Sequence, residues 1–129
     1  MAAKTGELME RYERFGRGDL PGALDLWTDD FVWEGDESGL PGSGRREGKQ
    51  AAIEVLQEAV GVWDKFELSA DEFLEQDDTV VVLGHLDVAK GDSSGRLPFV
   101  HIWRYRGNGI CRLQLLNETL GTARLLGLA

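Results

Sequence analysis

Apolar and polar positions along this chain follow two periods, and the change between them divides the molecule. Leu8, Tyr12 and Phe15 recur at i, i+4 and i+7, one face of a helix that stops near Gly16-Arg17-Gly18. Asp19 suits an N-cap and Pro21 a first helical turn. A short second helix is therefore predicted, with Ala23, Leu24, Leu26 and Trp27 on its buried side. Phe31-Val32-Trp33 reads as a short strand. The helical period returns from about Lys49, carried by Ala52, Ile53, Leu56, Ala59, Val60 and Trp63.

Beyond Trp63 the period shortens to two. Phe66, Leu68 and Ala70 alternate with polar neighbours. Three further strands are predicted over Thr79 to Ala89, Leu97 to Arg106 and Ile110 to Thr119. The last two are joined through Gly107-Asn108-Gly109, whose Asn-Gly pair is a strong hairpin signal, and Gly91 to Gly95 turns the hairpin before it. Between Gly35 and Gly48, glycines and Pro41 break every pattern. That stretch reads as a mobile loop, suited to the lip of a pocket. Helices followed by a meander of antiparallel strands is an α+β order. A strongly curved sheet with three N-terminal helices on its concave side would bury these apolar faces.

Neither repeat nor linker divides the chain, so residues 1–129 are read as one domain, long enough to bury a core. Lys and Arg number 14 against 23 Asp and Glu, a net charge of −9. That balance argues against a nucleic-acid partner, and Arg45, Arg46 and Lys49 are read as charges solvating a loop. The lone cysteine, Cys111, allows no internal disulfide and is expected to be a buried, inert thiol. Met1 to Glu10 carries acids and no apolar run, unlike a signal peptide or anchor. No segment reaches the roughly 18 apolar residues of a membrane span, so a cytoplasmic protein without a membrane partner is expected. No second histidine lies at metal spacing from His85 or His101; neither a metal nor a cofactor is expected.

Four segments carry a family resemblance: GDLPGALDLWTDDFVWEG (Gly18 to Gly35), EFLEQDDTVVVLG (Glu72 to Gly84), PFVHIWRYRGNGI (Pro98 to Ile110) and LNETLGTARLLGL (Leu116 to Leu128). In order and spacing the chain resembles SnoaL-like proteins and ketosteroid isomerases of the nuclear transport factor 2-like superfamily. The resemblance implies a cone-shaped α+β barrel around one pocket, and frequently a homodimer built on the outer sheet face. In ketosteroid isomerases it implies a carboxylate base with a Tyr and a neutral acid as oxyanion donors. The base position here is Gly35, flanked by Glu34 and Asp36. The tyrosine position is Arg11, with Tyr12 adjacent, and the acid position is His101. Steroid isomerisation is therefore not expected. In SnoaL-type cyclases it implies a His and a general-base Asp, and these positions are His101 and Leu115; leucine cannot take a proton. The Arg and Asp of limonene epoxide hydrolases fall at Phe99 and His101.

Strand parity and the resemblance together nominate an inward set: Phe99, His101 and Trp103 on one strand, Leu113, Leu115 and Asn117 on the next, with Trp33 at the mouth. Each has a plainer alternative, core packing for the aromatics and a structural hydrogen bond for His101 and Asn117. His101 is expected to be neutral at pH 7. His85 and Asp87 are read as the polar side of an amphipathic strand, and Glu118 as structural or interfacial. The expected function is binding of a small, largely apolar, neutral molecule. One alternative is an isomerase, cyclase or hydrolase using His101 as acid/base, helped by Glu34 or Asp36. Another is a dimeric interaction module whose pocket is vestigial.

Overall fold

The computed structural model describes residues 3–129. Helices α1 (Ala3–Gly16) and α2 (Leu20–Ala23) lead into strand β1 (Trp27–Glu34), short strand β2 (Arg45–Glu47) and helix α3 (Lys49–Gly61). Long strands β3 (Lys65–Gln76), β4 (Thr79–Lys90), β5 (Ser93–Arg106) and β6 (Gly109–Asn117) follow, and helix α4 (Thr119–Leu125) ends the fold. The strands form one sheet ordered β2-β1-β6-β5-β4-β3, antiparallel except between β1 and β6. Helix α1 packs on β3 and α3 on β1, so the helices fill the concave side.

Period-two alternation sets which side chains enter the cone. Val80, Val82 and Val88 of β4 are buried, as are Leu97, Phe99, His101, Trp103 and Tyr105 of β5. Bulges supply the curvature. One lies between Ala70 and Glu72 of β3, opposite Gly84. A Cβ on Gly84 would stand 2.1 Å from the Ser69 carbonyl oxygen and 2.5 Å from the Phe99 ring, so only glycine permits this close approach. A second bulge, between Arg104 and Tyr105, leaves Cys111 unpaired on β6. Cys111 is consequently half-buried, with Sγ 3.5 Å from the Arg104 carbonyl oxygen, rather than sealed in the core.

Three elements depart from the sequence-based expectation. Trp27 belongs to β1 rather than to the second helix. The Ile110 amide donates to the Leu26 carbonyl (2.7 Å), and pairing with β6 captures the chain as strand. A wide bulge between Trp27 and Val32 then stacks the Trp27 and Phe31 rings, centroids 3.9 Å apart. Arg45–Glu47 pairs with β1, which shortens the expected loop. The strand expected to reach Thr119 stops at Asn117, where Glu118 caps α4 by accepting from the Gly121 amide. The β5–β6 turn residues are Gly107 and Asn108, since Arg106 pairs with Gly109; Gly107 takes the positive φ of 61°. No helix among the described residues is long and apolar enough to cross a membrane.

Candidate functional site

Helix α1 and strand β5 meet at a chain of three polar groups inside the cone. The face that buries Leu8 carries Tyr12 one turn on, and the Tyr12 hydroxyl lies 2.7 Å from Nδ1 of His101. The Trp103 indole Nε1–H donates to the same hydroxyl at 2.8 Å. We assign the hydroxyl proton to the bond with Nδ1 and the imidazole proton to Nε2, because the other tautomer would leave both the phenol proton and Nε2 without a partner among the described residues. Nε2 has no protein partner among the described residues, yet it is not among the sealed, unpartnered polar atoms. It opens onto the cavity that His101 lines.

Burial sets the charge state of both groups. His101 is the buried polar residue of the core, and desolvation pushes its pKa down to about 3. Burial also drives the Tyr12 phenol far above its ordinary value, which the Trp103 hydrogen bond only partly offsets. Both are neutral at pH 7. Phe99 stacks on the imidazole, with ring centroids 4.0 Å apart. The result is an oriented, uncharged N–H donor in a carbon-walled space.

That space is a cavity offering about 130 Å³ to the centre of a water-sized molecule. Trp33, Trp103, Leu113 and Leu115 line it beside His101. Leu115 stands directly opposite His101 in the β5–β6 register. Phe99 is not part of the wall; its inward side chain is spent on the imidazole. Asn117 lines the cavity too, but it is exposed at the end of β6 and belongs to the mouth rather than the interior. Family spacing points to Arg11 rather than to its neighbour Tyr12. The guanidinium of Arg11 turns instead to Asp25, at 2.8 Å. The periodicity of Leu8, Tyr12 and Phe15 already carried the signal that Tyr12 points inward.

The mouth is built by the lip after β1 and by the start of α4. Backbone bonds close the lip: Gly35 N–H to the Gly44 carbonyl (2.8 Å), and Gly44 N–H to the Asp36 carbonyl (2.7 Å). The Trp33 indole adds a bond to the Gly42 carbonyl at 2.9 Å. Gly42 has φ of 88°, and a Cβ there would lie 3.0 Å from that of Ala59, so the lip can rest on α3 only at a glycine. Of the two acids beside Gly35, Asp36 lines the cavity, whereas Glu34 is turned away into ion pairs with Arg112 and Arg45.

The remaining candidates lie elsewhere. His85 bonds Asp71 through Nδ1 (2.7 Å) and faces Asp87 at 3.6 Å, on the strand face opposite to the buried Val82 and Val88. Asp87 in turn binds Arg96, which holds its carboxyl below the ordinary range. No group of three or more His, Cys, Asp or Glu among the described residues is arranged to hold a metal ion.

The family model described as a SnoaL-like domain matches residues 9–113. No curated protein matches the chain. Among solved structures, an NTF2-like protein of unknown function from Burkholderia pseudomallei is 29% identical, over 98% of both chains, with a TM-score of 0.87. TerC, co-crystallised with polyporic acid, is 27% identical over 95% of this chain and 97% of its own, with a TM-score of 0.84. AclR, a putative hydroxylase from Streptomyces galilaeus, shares the fold at 13% identity, over 100% of this chain and 87% of its own, with a TM-score of 0.80.

Proposed function

The chain belongs to the SnoaL-like family, and on that premise we propose that it binds a small, largely apolar molecule, uncharged where it meets the cavity walls. The observation that carries this reading is the chain from Trp103 through Tyr12 to His101, which leaves one N–H aimed into an apolar space. A ligand that offers this donor an acceptor, such as a carbonyl oxygen, gains a hydrogen bond inside an apolar space. Leu115 opposite His101 keeps the inner wall free of charge, and an unpaired buried charge on the ligand would be disfavoured there. A relative at 27% identity that was co-crystallised with polyporic acid also supports a small-molecule ligand.

The same geometry weighs against His101 as a general base. Its Nε2 already holds the proton, its pKa is pushed down to about 3, and its hydrogen-bond partner is a phenol rather than a carboxylate. In any reaction at this site, His101 is equipped to donate to an oxygen that gains negative charge.

All four tryptophans line the cavity, so binding is readable from intrinsic fluorescence. The test is titration with α-tetralone and with tetralin, the same body without the carbonyl. One neutral hydrogen bond predicts tetralone binding about two- to tenfold tighter, since such a bond contributes about 0.5–1.5 kcal/mol. His101→Leu should erase the difference. Absence of saturable binding by either compound would remove the proposal.

A further inference from the structure

The polar groups of the cavity are sorted by charge along its length. His101, 7% exposed, supplies a neutral donor one inward strand position in from the rim, where Phe99 pairs with Asn117. The half-buried Asp36 and Glu118 line the mouth, together with Thr119, Thr122 and the exposed Asn117. The Asp36 carboxylate accepts from the Ser38 amide (2.9 Å) and Glu118 from the Gly121 amide. Neither enters an ion pair among the described residues. The basic residue of the lining, Arg11, is committed to Asp25 and to the Glu7 carbonyl. Arg46 lies against Gly44 at the back of the lip, outside the lining.

Two carboxylates with free lone pairs thus stand at the mouth of a cavity that presents the unpartnered Nε2–H of His101 one inward strand position further in. We propose that the mouth selects the ligand's outer end by charge: an apolar body with a carbonyl toward His101 and an ammonium or hydroxyl donor toward Asp36 and Glu118. A carboxylate or phosphate at that outer position is excluded. This rests on the reading that the cavity takes a small apolar molecule. A donor at the mouth finds acceptors already in place, whereas an anion there meets two like charges with no cation to balance it.

Three probes share the α-tetralone body and differ at the ring edge remote from the carbonyl, which bears an aminomethyl, a hydroxymethyl or a carboxylate group. Fluorescence titration of the parent protein should give the aminomethyl ketone at least about tenfold tighter than the carboxylate, with the gap narrowing in high salt. The hydroxymethyl ketone should fall between them. Asp36→Asn combined with Glu118→Gln, the latter keeping a cap acceptor for α4, should bring the ratio toward one. Equal affinities for the two charged probes in the parent overturn the proposal. So does a ratio unmoved in the double variant, which would assign the preference to the overall charge of −9. Loss of binding by unsubstituted α-tetralone removes the underlying reading and this proposal with it. Tetralone binding without charge discrimination removes this proposal alone.

Discussion

The hydroxyl of Tyr12 lies 2.7 Å from Nδ1 of His101, and the two rings are within 10° of parallel with centroids 6.0 Å apart. This contact fastens α1 to the middle of β5 across 89 residues of chain. It also decides the chemistry of the imidazole, because a ring that accepts at Nδ1 must donate at Nε2. Structural and functional consequences of the pair can therefore be separated by experiment.

Tyr12→Phe removes the acceptor for Trp103 and the donor for His101 while keeping the ring. The variant is expected to lose about 1–3 kcal/mol of stability, the cost of leaving buried polar groups unpaired. Nitrogen-15 chemical shifts of His101 should change from a single Nε2–H tautomer to a mixture. An unchanged tautomer with unchanged denaturant midpoint would show that the hydroxyl does not set the proton position.

His101 also predicts a pH dependence. Its folded pKa, pushed down to about 3, lies below the ordinary 6.5, so the unfolded chain binds more protons between these values. Stability from this group is complete above about pH 6.5 and falls as pH drops toward 3, by at most about 1.4 kcal/mol per pH unit. Asp30, held at about 2 chiefly by its Arg106 hydrogen bond, and Asp87 lose their contributions only in more acidic solution. Urea unfolding from pH 7 to 4.5 should therefore show a slope in the parent that His101→Gln flattens. Parallel profiles would place the imidazole in water.

Leu115→Asp tests the inner wall. Leu115 is 7% exposed and faces His101 across the β5–β6 pair. The substitution should cost roughly 1–3 kcal/mol at pH 8 and weaken tetralone binding. At pH 5 the penalty should shrink, because burial raises the pKa of the new carboxyl and it takes up a proton there. An unchanged melting temperature together with unchanged tetralone affinity would mean that residue 115 faces solvent.

The outer face of the sheet carries its own expectation. Leu74, Val81 and Ile102 form one row across β3, β4 and β5, and Leu83, Val100 and Leu116 a second across β4, β5 and β6. Leu74 is 52% and Leu116 50% exposed. Charges flank the rows, Arg104 beside Thr79 at one end and Asp71 with His85 at the other. We expect a homodimer at micromolar concentration. Val100→Glu should weaken association by roughly a hundredfold or more, because both copies lose the contact. Sedimentation of the parent as a monomer would reject this.

Strand parity together with the family resemblance placed His101, Trp103, Leu113 and Leu115 on inward faces, and the Leu8-Tyr12-Phe15 stripe was enough to turn Tyr12 inward. These are local properties, fixed once an element's type is known. The sequence also determined the α+β order, because runs of one period are long and separated by glycine. Which side chains meet was decided by the tertiary structure. Tyr12 and Trp103 reach one another only because α1 crosses the concave face, and that crossing gives His101 its tautomer. Element ends were decided there as well: Trp27 became strand when the Leu26 carbonyl found the Ile110 amide, and β6 stopped where Glu118 could cap α4. Asn117 kept its predicted parity but lies at the rim, since parity gives a direction and not a depth. Depth, partner and protonation state depend on contacts between distant segments, and those energies exist only once the chain has closed on itself.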